Sequence, residues 1–336
     1  MAKGIGAKAA LLAAAVLMSG LASGLAGGPA AAASGKLVLY TSQPNADAQQ
    51  TVDAFTARHP DVEVEWVRDG TTKVMAKLRA EIAAGAPQPD VLLIPDSVTM
   101  AGLKQEGRLL AYPEAPVGPY DPGLYDKDLT WFSTKLITTG IVYNTAATMK
   151  PASWKDLLKP EAKGQIVMPS PLTSGAAMIH LETLTADPEL GWDYYEALAE
   201  QGALASGGNG GVFKAVAGGE KLYGVVIDFL PIREKAKGSP VEFVFPSEGV
   251  SAVTEPVAIL SSARNPEAAK AFVDFLLSRE GQELAAAQGY LPADPEVTPP
   301  EGFPAPSSIE VMPFDPEQAL TEEVAHKKAF AELFGG

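Results

Sequence analysis

Ser170-Pro171-Leu172-Thr173-Ser174-Gly175 runs into the apolar stretch Ala176, Ala177, Ile179 and Leu181, so hydroxyls stand where a helix is expected to begin. The first N–H groups of a helix lack intrahelical partners and lie at the positive end of its dipole. Hydroxyls beside them add donors, a set suited to phosphate, phosphonate or carboxylate oxygens. An ordinary Ser/Thr N-cap has the same composition, and the residues alone leave both readings open. Gly207-Gly208-Asn209-Gly210-Gly211 precedes another short helix. It lacks the Lys-Ser/Thr of a P-loop and the spacing of a dinucleotide fingerprint, so nucleotide binding is not supported and a flexible connection explains it. Asp228 ends the apolar run Tyr223–Ile227, where a carboxylate costs solvation unless something pairs with it. Sugar hydroxyls, a ligand ammonium group or Arg233 would each serve. Glu248, in Pro246-Ser247-Glu248-Gly249, offers a second carboxylate.

Other chemistries find less support. There is no cysteine, which excludes disulfides, thiolate metal sites and a cysteine nucleophile. A cleft with two carboxylates is also what a secreted glycosidase needs. The histidines are His59, His180 and His326, and no Gly-x-Ser-x-Gly or His-Glu-x-x-His motif accompanies them. Tyr194-Tyr195 lies in Gly191-Trp192-Asp193-Tyr194-Tyr195-Glu196-Ala197-Leu198, a helical pattern. Helix neighbours point about 100° apart and do not converge on one ion, so core packing is expected there.

The positioning elements begin after a leader. Lys3 and Lys8, the small apolar run from Ala9 to about Leu25, and Ala31-Ala32-Ala33 before Ser34 read as a cleaved export signal over residues 1–33. Its glycines and Pro29 argue against a membrane anchor. Cleavage removes two lysines and moves the formal charge from −15 to −17. So acidic a chain has no general attraction for nucleic acid or anionic lipid, and any bound anion must be held by local groups. The remaining chain of about 300 residues exceeds one usual core, so two lobes are expected.

Short apolar strands alternate with helical patterns, which predicts an α/β protein with mostly parallel sheet. Lys36–Tyr40, Val62–Trp66 and Val91–Ile94 read as strands, with helices from Ala46 to about Arg58 and from Thr71 or Thr72 onward between them. Asn45 is placed to cap the first helix. Gly140–Tyr143, Gln165–Met168 and Tyr223–Ile227 are further strands, and Pro266–Leu277 and Ser278–Gln288 are helices. Pro292–Pro313 reads as an irregular strap, followed by a helix from Pro316 to Phe334 capped by Asp315.

Gly140-Ile141-Val142-Tyr143-Asn144-Thr145, Pro151-Ala152-Ser153-Trp154-Lys155-Asp156-Leu157-Leu158 and Gly164-Gln165-Ile166-Val167-Met168-Pro169 resemble the middle of ferric-ion and phosphonate-type solute-binding proteins. Val38-Leu39-Tyr40-Thr41-Ser42, Arg68-Asp69-Gly70 with Asp90-Val91, and Phe275-Leu276-Leu277-Ser278 with Gly281-Gln282 extend the resemblance over nearly the whole mature chain. It implies an α/β, two-lobed periplasmic-binding-protein fold of type II, with lobes joined by two crossing strands and closing on the ligand. The crossings are expected near Thr138–Tyr143 and Phe245–Val250. One lobe comprises 34–138 plus 250–290, the other 139–249, with 291–336 as strap and helix. A monomeric periplasmic protein that serves an inner-membrane ABC permease, with no cofactor and no catalysis, is implied.

Iron-binding members of that family carry adjacent tyrosines after the strand matching Tyr223–Ile227, and many carry a histidine in the first loop. Here those positions read Asp228-Phe229-Leu230-Pro231 and Ser42-Gln43-Pro44-Asn45. Iron held by other groups, such as Asp96, Asp228 and Glu248, remains an alternative. The resemblance places the anion at Ser170, Thr173, Ser174 and Gly175, with Asn209 as a donor and Thr41, Ser42, Asp96 and Ser97 facing from the other lobe. Relatives that bind hexose phosphates use an aspartate near Asp228 for sugar hydroxyls. The expected ligand is therefore a small organic anion, a sugar phosphate or an aminoethylphosphonate, with Asp228 and Glu248 at its other end.

Overall fold

A computed structural model of the chain describes Met1 and residues 33–305 and 308–335. The expected leader lies, but for its first and last residues, outside the described residues.

The first half of one lobe follows the sequence pattern closely. Strand β1 (Gly35–Thr41), helix α1 (Asn45–Arg58), β2 (Val62–Arg68), α2 (Thr71–Ala83), β3 (Val91–Leu93) and α3 (Ser97–Gln105) form a β-α-β-α-β-α unit. β1 lies between β2 and β3, parallel to both, with Leu39 opposite Trp66 on one side and Val91 on the other. The strand ends and the following helix starts therefore gather at one edge, where open α/β sheets take ligands. Asn45 is not a cap. Pro44 holds the N-cap position without a side-chain bond.

A proline-rich stretch leads to β4 (Phe132–Ser133), and the chain enters the other lobe as the long β5 (Lys135–Asn144). There follow β6 (Ile166–Met168), α4 (Gly175–Ala186), α5 (Gly191–Glu200), β7 (Leu204–Ala205), α6 (Asn209–Ala217), β8 (Tyr223–Ile227), α7 (Phe229–Ala236), β9 (Val241–Val244) and β10 (Ser251–Val253). The chain returns through β11 (Pro256–Ile259), α8 (Pro266–Leu277) and α9 (Arg279–Ala287), then β12 (Leu291–Pro292), and ends in α10 (Pro316–Phe334). One sheet runs β2-β1-β3-β11-β4 and the other β10-β5-β8-β6-β7, with β9 and β12 also paired to β5. Both are mixed rather than mostly parallel. β11 is antiparallel to β3, and β5 is antiparallel to β8, β9 and β10. The two returning connections impose this, because each re-enters a sheet from the opposite lobe.

The crossings lie a few residues outside the expected segments. Thr134 N donates to the Thr254 carbonyl at 3.2 Å, and Thr134 Oγ1 donates to that of Glu255 at 2.8 Å. Beneath them Lys135 Nζ meets Glu255 Oε2 at 2.6 Å, with side-chain exposures of 4% and 3%. Glu255 has φ of +36°, a region that strains a non-glycine residue, and the surrounding bonds hold it there. Helix α10 starts as expected, with Asp315 accepting from Glu317 N and Gln318 N. It packs against α3 of one lobe and α4 and α5 of the other.

Candidate functional site

Between the lobes lies a cavity of about 290 Å³. Its walls include the N-terminal ends of five helices: Pro44 before α1, Gly70 and Thr71 at α2, Ser174 at α4, Gly208–Gly210 at α6, and Phe229 at α7. Three of these ends, at Pro44, Gly70 and Gly208, have no side-chain cap. Uncapped first-turn N–H groups are donors without intrahelical partners, at the positive end of each dipole.

Local bonds fix the polar side chains. Ser42 Oγ lies 3.1 Å from Thr71 Oγ1. Ser174 Oγ caps α4 by accepting from Ala177 N at 3.3 Å, and Asn209 Nδ2 reaches the same oxygen at 3.3 Å. Asn209 Oδ1 in turn accepts from Ile227 N, which aims its amide at α4. Thr173 Oγ1 donates to the Gly207 carbonyl at 2.7 Å. Arg68 Nε donates to the Gln43 carbonyl at 2.8 Å, anchoring the only Arg or Lys that lines the cavity among the described residues. Gln43 Nε2 donates to Glu255 Oε2 at 3.3 Å, leaving the buried Gln43 Oε1 without a partner among the described residues. Tyr290 is the only lining tyrosine among those residues. Its hydroxyl donates to Asp47 Oδ2 at 2.6 Å, and burial pushes the phenol well above its usual range.

Of the residues expected from sequence, Ser42, Thr173, Ser174 and Asn209 line this cavity together. The others stand behind it or elsewhere. Thr41 is buried, its hydroxyl accepting from Gln43 N. Ser170 Oγ accepts from Leu172 N and so shapes the loop before α4. Asp96 caps α3 through Thr99 N and Thr99 Oγ1, burial raising its carboxyl, and Ser97 is the first residue of that helix. Gly175 has a steric role. A Cβ there would lie 2.9 Å from the Pro95 carbonyl oxygen, 3.0 Å from Asp96 Cβ and 3.1 Å from Thr71 Cγ2, all on the opposite lobe.

The two carboxylates expected at the far end of a ligand lie outside the lining of this cavity. Asp228 is 1% exposed and accepts from Thr138 N, Thr138 Oγ1 and Phe229 N at 2.6–2.8 Å. Burial outweighs those bonds and pushes its carboxyl up to about 7. It therefore ties β8 to β5 and faces no cation, because Arg233 pairs with Asp47 instead. Glu248 bonds Ser153 Oγ and Trp154 N, holding the loop after β5. Neither lines the cavity. Both form a structural bond within their own lobe, which the pattern of an apolar strand followed by an acid does not distinguish from a ligand contact.

Sequence reasoning missed Gln43, Arg68, Thr71, Glu255 and Tyr290 as lining groups. Arg68 and Thr71 sit at a strand end and a helix start, a placement that marks the binding edge. Glu255 carries no such signal, since its neighbours Lys135 and Gln43 are distant in sequence. The histidines are packed apart. His59 stacks on Phe55, His326 meets Glu182, and His180 bonds Ser251 while burial lowers its pKa to about 3. Tyr194 and Tyr195 are core residues, as their helix predicts.

A family model for bacterial extracellular solute-binding proteins matches residues 40–283. An uncharacterized protein of Haemophilus influenzae is 32% identical over 292 residues, covering 80% of each chain. The Fe(3+)-binding periplasmic protein of Serratia marcescens is 26% identical over 282 residues, covering 76% of this chain and 82% of that protein. The periplasmic binding protein AfuA of Actinobacillus pleuropneumoniae, solved with fructose-6-phosphate bound, superimposes with a TM-score of 0.80 at 25% identity. That match covers 89% of this chain and 98% of AfuA. With two lobes, a cleft between them and a match across most of its length, the chain belongs to the bacterial extracellular solute-binding proteins, as an ABC-transporter substrate-binding protein of the type II fold.

Proposed function

We propose that the cavity captures a small organic anion bearing a phosphate or phosphonate group, which the exported protein delivers to an inner-membrane permease. The observation that carries this is the convergence of helix N-termini on one cavity, joined by the hydroxyls of Ser42, Thr71, Thr173 and Ser174 and by Arg68. Helix ends and hydroxyls hold anionic oxygens through partial charges, and Arg68 adds a full one. Gln43 Oε1, buried and unpartnered among the described residues, together with the Glu255 carboxylate, accepts donors from the rest of the ligand, as sugar hydroxyls would supply. The fructose-6-phosphate found in AfuA has both ends. A ferric ion is less well served, because the lining offers neither a free phenol nor Asp96, Asp228 or Glu248. No catalytic step forms part of this reading.

A thermal-shift screen should show stabilisation by a sugar phosphate or phosphonate, worth ~2.7 kcal/mol at about 100 times the dissociation constant. Ser174→Ala should weaken every ligand that shares the anionic group. Gln43→Ala should discriminate among the remaining parts. Stabilisation by Fe(III) or plain carboxylates alone overturns the reading.

A further inference from the structure

A second cavity, also of about 290 Å³, opens where α4 meets the C-terminal helix α10, and Glu182, Asp187, Asp315 and Glu322 line it without any lysine or arginine among the described residues. Glu182 is 5% exposed, and its Oε1 is buried with no hydrogen-bond partner among those residues. A carboxylate oxygen in that position carries a full desolvation cost and calls for a cation or a donor. Glu322 and His326 stand one helical turn apart on the face of α10 that meets Glu182. One ligand atom from each of Glu182, Glu322 and His326 lies within 4.8 Å of the others.

We propose that Glu182, Glu322 and His326 form a binding site for a divalent transition-metal ion, with Zn²⁺ as the best match, clipping α10 to α4. Imidazole and carboxylate are both ligands of such ions, and three of them leave a further position toward the cavity. His326 Nδ1 lies 2.6 Å from Glu182 Oε2, so an ion shared by these two groups takes the place of that hydrogen bond and spreads the two atoms to about 3.4 Å, the separation of ligands on a tetrahedral ion with bonds of about 2.1 Å. Glu322 Oε2 stands 3.9 Å from His326 Nε2, too far for a hydrogen bond, so it is not tied to the ring. Gln318 Nε2, 3.2 Å from Glu322 Oε1, positions the other carboxylate. Trp192, whose ring centre is 5.3 Å from that of His326, shields one side.

The test uses tag-free, chelator-stripped full chain, titrated with ZnCl₂ by calorimetry and with CoCl₂ by visible absorption. One saturable equivalent should bind, raise the melting temperature and give a cobalt spectrum with a nitrogen ligand. His326→Ala and Glu322→Gln should each lose roughly ten-fold or more in affinity, as removal of metal-site groups does, while His59→Ala should bind as wild type. Glu322 is partly exposed, so its variant keeps the test valid if another substitution fails to fold. Absence of saturable binding by either ion overturns the site, and so does binding that survives both His326→Ala and Glu322→Gln.

Discussion

Two cavities of equal volume, about 290 Å³ each, carry opposite chemistry in one acidic chain. The interlobe cavity contains Arg68 and one carboxylate, Glu255, which Lys135 neutralises from below. The cavity beside α10 is lined by four carboxylates and, among the described residues, has no ammonium or guanidinium to balance them. A net charge of −15 predicts neither. What sets the sign is which end of each helix faces inward and whether a buried acid has its own cation. Near the interlobe cavity, field lines come from uncapped N–H groups a few ångströms away, which outweigh distant surface charge screened over about 10 Å.

The largest predicted effect comes from breaking that neutralisation. Lys135→Met keeps the stem but leaves Glu255 buried and unpaired, so the interlobe floor would come to resemble the other cavity. Losing one partner of a buried pair costs about 3–5 kcal/mol. The Lys135 ammonium also lies 4.1 Å from the Tyr290 ring centre, a cation–π attraction that methionine cannot supply. Urea unfolding of Lys135→Met should show a drop of that order, and adding Glu255→Gln should restore most of it. Equal stability of wild type and Lys135→Met would mean the charge at Glu255 is not held by Lys135.

How much of this contrast is legible in the sequence depends on the range of the interactions. The β-α-β edge, the strap and the capped helix α10 follow from local patterns of apolar spacing, proline and Asp315. The neutral donors Ser42, Thr173, Ser174 and Asn209 are legible as well, because each sits at a strand end or a helix start. Asp228 and Glu248 mislead because an acid beside an apolar strand has the same local sequence whether it faces a ligand or a backbone amide. Thr138 and Ser153, to which these carboxylates are bonded, are 90 and 95 residues away. The group of Glu182, Glu322 and His326 is invisible for the same reason, since α4 and α10 meet only in three dimensions.

Next in size is a substitution that moves the interlobe cavity toward the acidic one. Asn209→Asp is nearly isosteric and keeps the acceptor for Ile227 N, yet it replaces an amide donor by a carboxylate between α4 and α6. Like charges brought together at a binding site cost several kcal/mol, here taken as about 3, or roughly two orders of magnitude in affinity for a hexose phosphate. Glu322→Gln, in the other cavity, should leave that affinity unchanged. Calorimetry on the two variants separates local from global electrostatics. A similar loss in both would show that net charge, rather than the lining, governs the anion.

The smallest expected effect concerns the close approach of the two lobes at the edge of the interlobe cavity. Gly175 begins α4 in one lobe and approaches Thr71, Pro95 and Asp96 of the other, with room for no side chain. Gly70 mirrors it across the cleft, since a Cβ there would lie 3.2 Å from the Thr173 carbonyl oxygen. Gly175→Val fits a lobe standing alone but collides when the lobes close. Overpacking of this kind costs about 1–3 kcal/mol, and here it acts on the closed state alone. Stability without ligand should therefore stay near that of wild type, while affinity falls by about ten-fold for each 1.4 kcal/mol of strain. The loss should appear mainly as faster release, because closure follows encounter. If Gly175→Val lowers the melting temperature without ligand and leaves affinity intact, the glycine serves the packing of α4 instead, and the two lobes do not need to meet at that edge to hold the anion.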